Sequence, residues 1–157
     1  GDLFNIRINI LEYLNKLNND NSSIHLKIKF YNQKITKYLY LNDNNFIILD
    51  ARNKNRFKGI TSEPRPNLRS GHIPKSKNLF WGHLITKNGT IKSKKNLKEI
   101  FKKYNLNNKK NIVTSCGSGV TACILSLALL HSNDLYSKVY DGSWSEWGSK
   151  KELPIER

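Results

Sequence analysis

The order of its apolar segments predicts that this chain folds as an α/β domain on a mainly parallel sheet. Two runs, FIILD at 46–50 and NIVTS at 111–115, are short, continuous and rich in β-branched residues. Such runs suit strands covered on both faces, as in a parallel sheet. Between them, LKEIFKKYNL at 97–106 has helical periodicity, and the second run leads directly into VTACILSLALL at 120–130. Strands alternating with helices are the signature of the α/β class.

Taken in order, residues 6–17 set Ile6, Ile10, Leu14 and Leu17 on one face, with Leu11 beside them, and predict a helix. Residues 24–30 alternate Ile24, Leu26, Ile28 and Phe30 with polar residues, which is strand periodicity. A turn at YNQK and a second strand-like run, ITKYLYL, make 24–41 a predicted hairpin. After the FIILD strand comes a long irregular stretch, 51–78, holding three of the four prolines. A loop of that length in a compact domain is usually functional. In the 97–106 helix, Leu97, Ile100, Phe101 and Tyr104 share a face, whereas 120–130 is apolar nearly all round and predicts a buried helix. KVYDGSWSEW gives a last short strand and an aromatic turn.

A length of 157 residues favours one domain with one core. Two cysteines make no disulfide framework and suit a reducing compartment, cytoplasmic or mitochondrial, rather than secretion. No segment approaches the ~20 apolar residues of a membrane span, so no membrane role is expected. The net charge of +15 comes from 27 basic against 12 acidic residues. Lysine, asparagine and isoleucine are abundant together in loops and elements alike, and the basic residues are scattered. This reads as biased composition rather than a dedicated nucleic-acid surface, although charge alone leaves nucleic acid open. The excess should still attract small anions.

Cys116 ends a predicted strand and precedes a predicted helix, where ligands bind in parallel α/β sheets. The first N–H groups of a helix lack internal partners and carry the positive end of the dipole, which favours a thiolate nucleophile there. Gly117 and Gly119 let the backbone bend into an amide nest for an anion, and Ser118 and Thr121 add hydroxyl donors. Cys123 lies within the apolar helix and reads as a packed thiol. There is no Cys-x-x-Cys, so no metal site and no thioredoxin-type redox pair is expected.

CGSGVT resembles the active-site loop of the rhodanese superfamily, in its 3-mercaptopyruvate sulfurtransferase branch. LDARNKNRFKGITSEPRPNLRSGHIPKSKNL and VYDGSWSEW are similar to two further motifs of that family, so the resemblance runs in order across 46–148. It implies a rhodanese-like domain, a central mainly parallel sheet flanked by helices on both faces. It also implies that 1–157 is the second, catalytic half of a tandem pair, with an insertion at about 19–42. The implied reaction moves sulfur from 3-mercaptopyruvate to a thiol acceptor such as thioredoxin or glutathione through a persulfide on Cys116, with no cofactor. The amides of Gly117, Ser118, Gly119, Val120 and Thr121 would hold the persulfide. Arg56 of NRFKG and Arg65 of EPRP would bind the donor's carboxylate and keto group, for which a planar guanidinium is suited. Ser118 would also join a serine relay with His and Asp partners from an N-terminal rhodanese domain. Asp50 and Arg52 are expected to fix the loop, His72 to be structural, and Trp144 and Trp147 to pack.

Other functions remain in view. The thiosulfate branch places basic residues directly after the cysteine, where Gly117 and Ser118 stand, so thiosulfate ranks second as donor. A related phosphatase loop needs an arginine where Ala122 stands. Non-catalytic docking modules of this fold commonly lose the cysteine, and Cys116 argues against that role.

Overall fold

The computed structural model describes residues 29–30, 46–106, 111–133 and 135–157. The predicted helix at 6–17 lies outside them. So does the segment at 19–42, the predicted hairpin included, apart from Lys29–Phe30. The elements in order are β1 (Lys29–Phe30), β2 (Phe46–Asp50), α1 (Lys54–Phe57), β3 (Lys77–Asn78), a 3-10 turn (Trp81–Leu84), α2 (Lys94–Lys102), β4 (Asn111–Ser115), α3 (Ala122–Asn133), β5 (Ser137–Val139) and α4 (Ser143–Trp147).

Among the described residues the strands form one five-stranded sheet in the order β1-β5-β4-β2-β3. Every pairing is parallel, and β2 lies in register with β4 from Phe46 opposite Asn111 to Asp50 opposite Ser115. That register brings Asp50 and Cys116, each at or just past a strand's carboxyl end, to the same edge. The two apolar runs are buried on both sides, as their composition predicts. Ile47, Leu49 and Ile112 pack under α2 and α3 with Leu97, Phe101, Leu125 and Leu129. Ile48 and Val113 point the other way, against Ile73, Tyr140, Trp144, Trp147 and Leu153. Alternation with period two thus gives each strand two apolar faces, and the sheet carries helices on both.

Helix α2 begins three residues earlier than its periodicity suggests, because the Ser93 hydroxyl caps it by accepting from the Asn96 N–H at 3.4 Å. Its face is the predicted one: Leu97 and Phe101 are buried, and Ile100 and Tyr104 pack alongside. Helix α3 is buried nearly all round, with Ala122, Ile124, Leu125, Leu127, Ala128 and Leu129 all inside. The stretch 51–78 is less irregular than its composition indicates. It contains α1, capped by Asn53 Oδ1 on the Arg56 N–H at 2.9 Å, and β3, which pairs with Leu49 and Asp50. Neither has an apolar pattern to betray it: α1 buries none of its residues and β3 has only two.

Candidate active site

Cys116 follows the last residue of β4 and is 2% exposed, at the floor of a cavity of about 280 Å³. Its backbone is fixed from α4. The Cys116 N–H donates to Ser143 Oγ at 3.0 Å, and that hydroxyl donates to the Tyr140 carbonyl at 2.7 Å. The Trp144 N–H donates to the Cys116 carbonyl at 3.0 Å, and the Ser145 N–H to the Gly117 carbonyl at 2.9 Å. In a trans peptide the C=O and the following N–H point opposite ways. Anchoring two successive carbonyls on α4 therefore turns the Gly117 and Ser118 N–H groups away from it. None of the N–H groups of residues 117–121 donates to a backbone carbonyl among the described residues. Gly117, Ser118, Val120 and Thr121 all line the cavity. A row of unspent donors beside a thiol is an environment for a negatively charged sulfur.

The two glycines serve different ends. Gly119 has φ +84°, and a Cβ there would stand 2.8 Å from the Asp141 carbonyl, so it supplies the backbone freedom the sequence suggested. Gly117 does not have a positive φ. Its requirement is space, since a Cβ would lie 3.0 Å from Arg56 Nη2.

That contact shows where Arg56 sits: its guanidinium covers the cysteine loop. Its Nε and Nη2 donate to the two oxygens of Glu63 at 3.2 and 2.5 Å. Glu63 is buried and also accepts from Arg52 Nη1 at 2.9 Å. Arg52 in turn grips Asp50, donates to the Gly71 carbonyl at 2.8 Å and stacks 4.5 Å from the Trp144 ring centroid. Asp50 and Arg52 thus brace the loop. A buried carboxylate between two guanidiniums holds Arg56 by one edge of its fork and leaves the rest for the cavity. Arg65 is exposed on the same cavity, and its Nη1 donates to Ser145 Oγ. Ser118 is exposed and makes no side-chain hydrogen bond among the described residues.

The fold therefore gathers Cys116, Arg56, Arg65 and the 117–121 loop around one cavity, although the arginines lie more than 50 positions from the thiol. Leu68, Phe80 and Trp81 provide apolar wall. His72 is outside the cavity lining: it stacks on Phe57 with centroids 3.7 Å apart, and its Nδ1 lies 2.8 Å from the Phe57 carbonyl. Trp144 and Trp147 are fully buried, their indole N–H groups spent on the Arg69 and Pro154 carbonyls. Cys123 packs against the α3 side of the core, with its thiol 3.5 Å from the Gly119 carbonyl. Among the described residues no three His, Cys, Asp or Glu side chains gather as a metal site. Sequence reasoning missed Glu63, Ser143 and Ser145. Glu63 stood in the EPRP motif, but nothing in the sequence signals its burial between two arginines. Ser143 has φ +47°, a conformation costing a non-glycine residue roughly 1–2 kcal/mol, and only its tertiary bonds explain it.

The model of the rhodanese-like domain family matches residues 36–150. The chain belongs to that family. This rhodanese-like domain is 43% identical over 124 residues to the 3-mercaptopyruvate sulfurtransferase of Escherichia coli K12, covering 78% of the chain and 44% of that protein. It is 43% identical over 108 residues to the mitochondrial thiosulfate/3-mercaptopyruvate sulfurtransferase 1 of Arabidopsis thaliana, covering 69% of the chain and 28% of that protein. The crystal structure of the Tum1 protein from Saccharomyces cerevisiae superimposes with a TM-score of 0.63 at 34% identity, over 71% of this chain and 40% of that one. The domain thus spans less than half the length of these relatives. No helix among the described residues is long and apolar enough to cross a membrane.

Proposed function

We propose that this domain carries the sulfur-transferring cysteine of a 3-mercaptopyruvate sulfurtransferase. The observation that supports it best is the gathering of Cys116, the Arg56 guanidinium and a row of unspent amides around one cavity. In the proposed reaction the Cys116 thiolate attacks the sulfur of 3-mercaptopyruvate. A sulfur–sulfur bond forms, the carbon–sulfur bond breaks, and its electron pair leaves as the enolate of pyruvate. That enolate takes up the thiol's proton on carbon, so pyruvate departs and Cys116 is left as a persulfide anion. A thiolate acceptor then attacks the outer sulfur, carries it off as its own persulfide and restores Cys116.

Arg56 and Arg65 bind the donor's carboxylate and keto oxygens and stabilise the enolate as it forms, which is electrostatic preorganisation. The amides of Gly117, Ser118, Gly119, Val120 and Thr121 hold the persulfide. Ser118 assists the proton transfer with groups from a preceding rhodanese domain of the same chain, a tandem arrangement consistent with the share of the relatives that this domain spans. The acceptor is a low-molecular-weight thiol such as glutathione, or thioredoxin, in a reducing compartment. Steady-state turnover with 3-mercaptopyruvate and thiosulfate side by side tests the reading. A clear preference for 3-mercaptopyruvate is expected. A preference for thiosulfate transfers the domain to the other branch, and turnover of neither donor by the full tandem chain defeats the catalytic reading.

A further inference from the structure

The two arginines over the cavity are held in different ways. Arg56 is tied to a buried carboxylate. Arg65 is exposed, and its hydrogen bond among the described residues runs to one hydroxyl, that of Ser145. Ser145 is itself tied to the cysteine loop twice: its N–H donates to the Gly117 carbonyl at 2.9 Å and its Oγ donates to the same oxygen at 2.5 Å. A serine hydroxyl has one proton to give and lone pairs to receive. Giving the proton to Gly117 leaves the oxygen free to accept from Arg65, so both bonds are satisfied together. The result is a continuous path from a surface guanidinium to the Gly117–Ser118 peptide of the cysteine loop.

We infer that Ser145 is a positioning residue that couples Arg65 to the Cys116 loop, setting the distance between the donor's anionic group and the sulfur that reacts. The inference rests on the reading of Cys116 as the nucleophile, and it adds a residue that lines the same cavity from outside the loop. An arginine side chain has several rotatable bonds, and one that is exposed holds no single position unless something fixes it. Without Ser145 Oγ the charge remains in the neighbourhood, but its place relative to Cys116 is lost. The geometry of the loop is a separate matter, because the Ser145 N–H still holds the Gly117 carbonyl when the hydroxyl is removed.

Alkylation of Cys116 in the full chain, followed by peptide mass spectrometry so that Cys123 is read separately, tests this without relying on turnover. Iodoacetate and iodoacetamide are near-isosteric, and only the first carries a carboxylate. The quantity of interest is the ratio of their rates at Cys116. Ser145→Ala should lower the iodoacetate-to-iodoacetamide ratio by roughly 3- to 10-fold, the scale of one net hydrogen bond. Ser145→Thr, which keeps the hydroxyl, should preserve the ratio, and Ser145→Val, of the same shape without it, should lower it. Arg65→Gln should produce a similar fall, and adding Ser145→Ala to it should produce no further one, as a double-mutant cycle requires of two groups acting as a unit. The Thr and Val pair decides the matter if the alanine variant does not fold. An unchanged ratio, an equal fall in both rates, or full additivity with Arg65→Gln would overturn the coupling. If wild-type Cys116 reacts with neither reagent, the nucleophile reading itself fails, an outcome distinct from the others.

Discussion

Replacing Arg56 by alanine tests the link between the ion-pair network and the chemistry. Two consequences follow from its contacts. The cavity loses a guanidinium beside Gly117, and a charge-assisted hydrogen bond to a bound carboxylate is worth about 1.5–3 kcal/mol. On that scale kcat/KM for 3-mercaptopyruvate should fall roughly 10- to 100-fold. The Glu63 side chain, which is 1% exposed, also loses two of its hydrogen bonds and keeps the one from Arg52. Because one cation remains, the destabilisation should be closer to that of an unsatisfied polar group, about 1–3 kcal/mol, than to that of a fully stranded buried charge. For a domain of this size that is a fall in Tm of very roughly 2–12 °C. Arg56→Lys should recover little of either, since one ammonium cannot span both Glu63 oxygens and still present donors to the cavity. The assays are steady-state kinetics with 3-mercaptopyruvate and thermal unfolding followed by circular dichroism. Wild-type kinetics in Arg56→Ala, whatever its Tm, would refute the placing of the donor under this guanidinium.

Incubation with donor and no acceptor should add one sulfur atom to the intact mass, and Cys116→Ser should abolish the adduct while Cys123→Ser leaves it; an adduct surviving in Cys116→Ser would remove that residue from the role. The two loop glycines should respond differently to alanine. Gly119→Ala meets both a left-handed φ and a backbone carbonyl, and should cost ~1–2 kcal/mol or more in denaturant unfolding, whereas Gly117→Ala should fold normally but raise KM for the donor by pushing Arg56 Nη2 away from the loop. His131, at the end of α3, has its pKa lowered by burial and then by the charge of Lys94. A depressed histidine pKa means that the unfolded chain takes up the proton more readily, so stability should decline as pH falls below about 6.5 toward the folded value. His131→Gln should flatten that part of the Tm–pH curve, and an unchanged slope would assign the effect elsewhere.

Much of the fold was written locally. FIILD and NIVTS form adjacent parallel strands because each alternates apolar side chains to two covered faces, and that pattern can be read without knowing the partner strand. The Cys-Gly-Ser-Gly turn between a strand and an apolar helix was likewise legible, since the need for a bend and for free amides is met by neighbouring residues. The arginines could be named only by resemblance to a family motif, because one basic residue among 27 carries no mark of its own. Tertiary structure alone decided what holds them. Glu63 became a buried brace through the folding of 51–78 back on the sheet, and α1 and β3 formed there without any hydrophobic period to announce them. The roles of the glycines also separated only in three dimensions: a positive φ is a local property of Gly119, but the need for a bare Gly117 arises from Arg56, 61 positions away. Ser143 and Ser145 likewise owe their importance to the sheet register that carries β5, and α4 after it, alongside β4. Periodicity reports which face of an element is covered; it carries no information on which distant backbone atom a lone hydroxyl or guanidinium will meet, and that is what arranges the site.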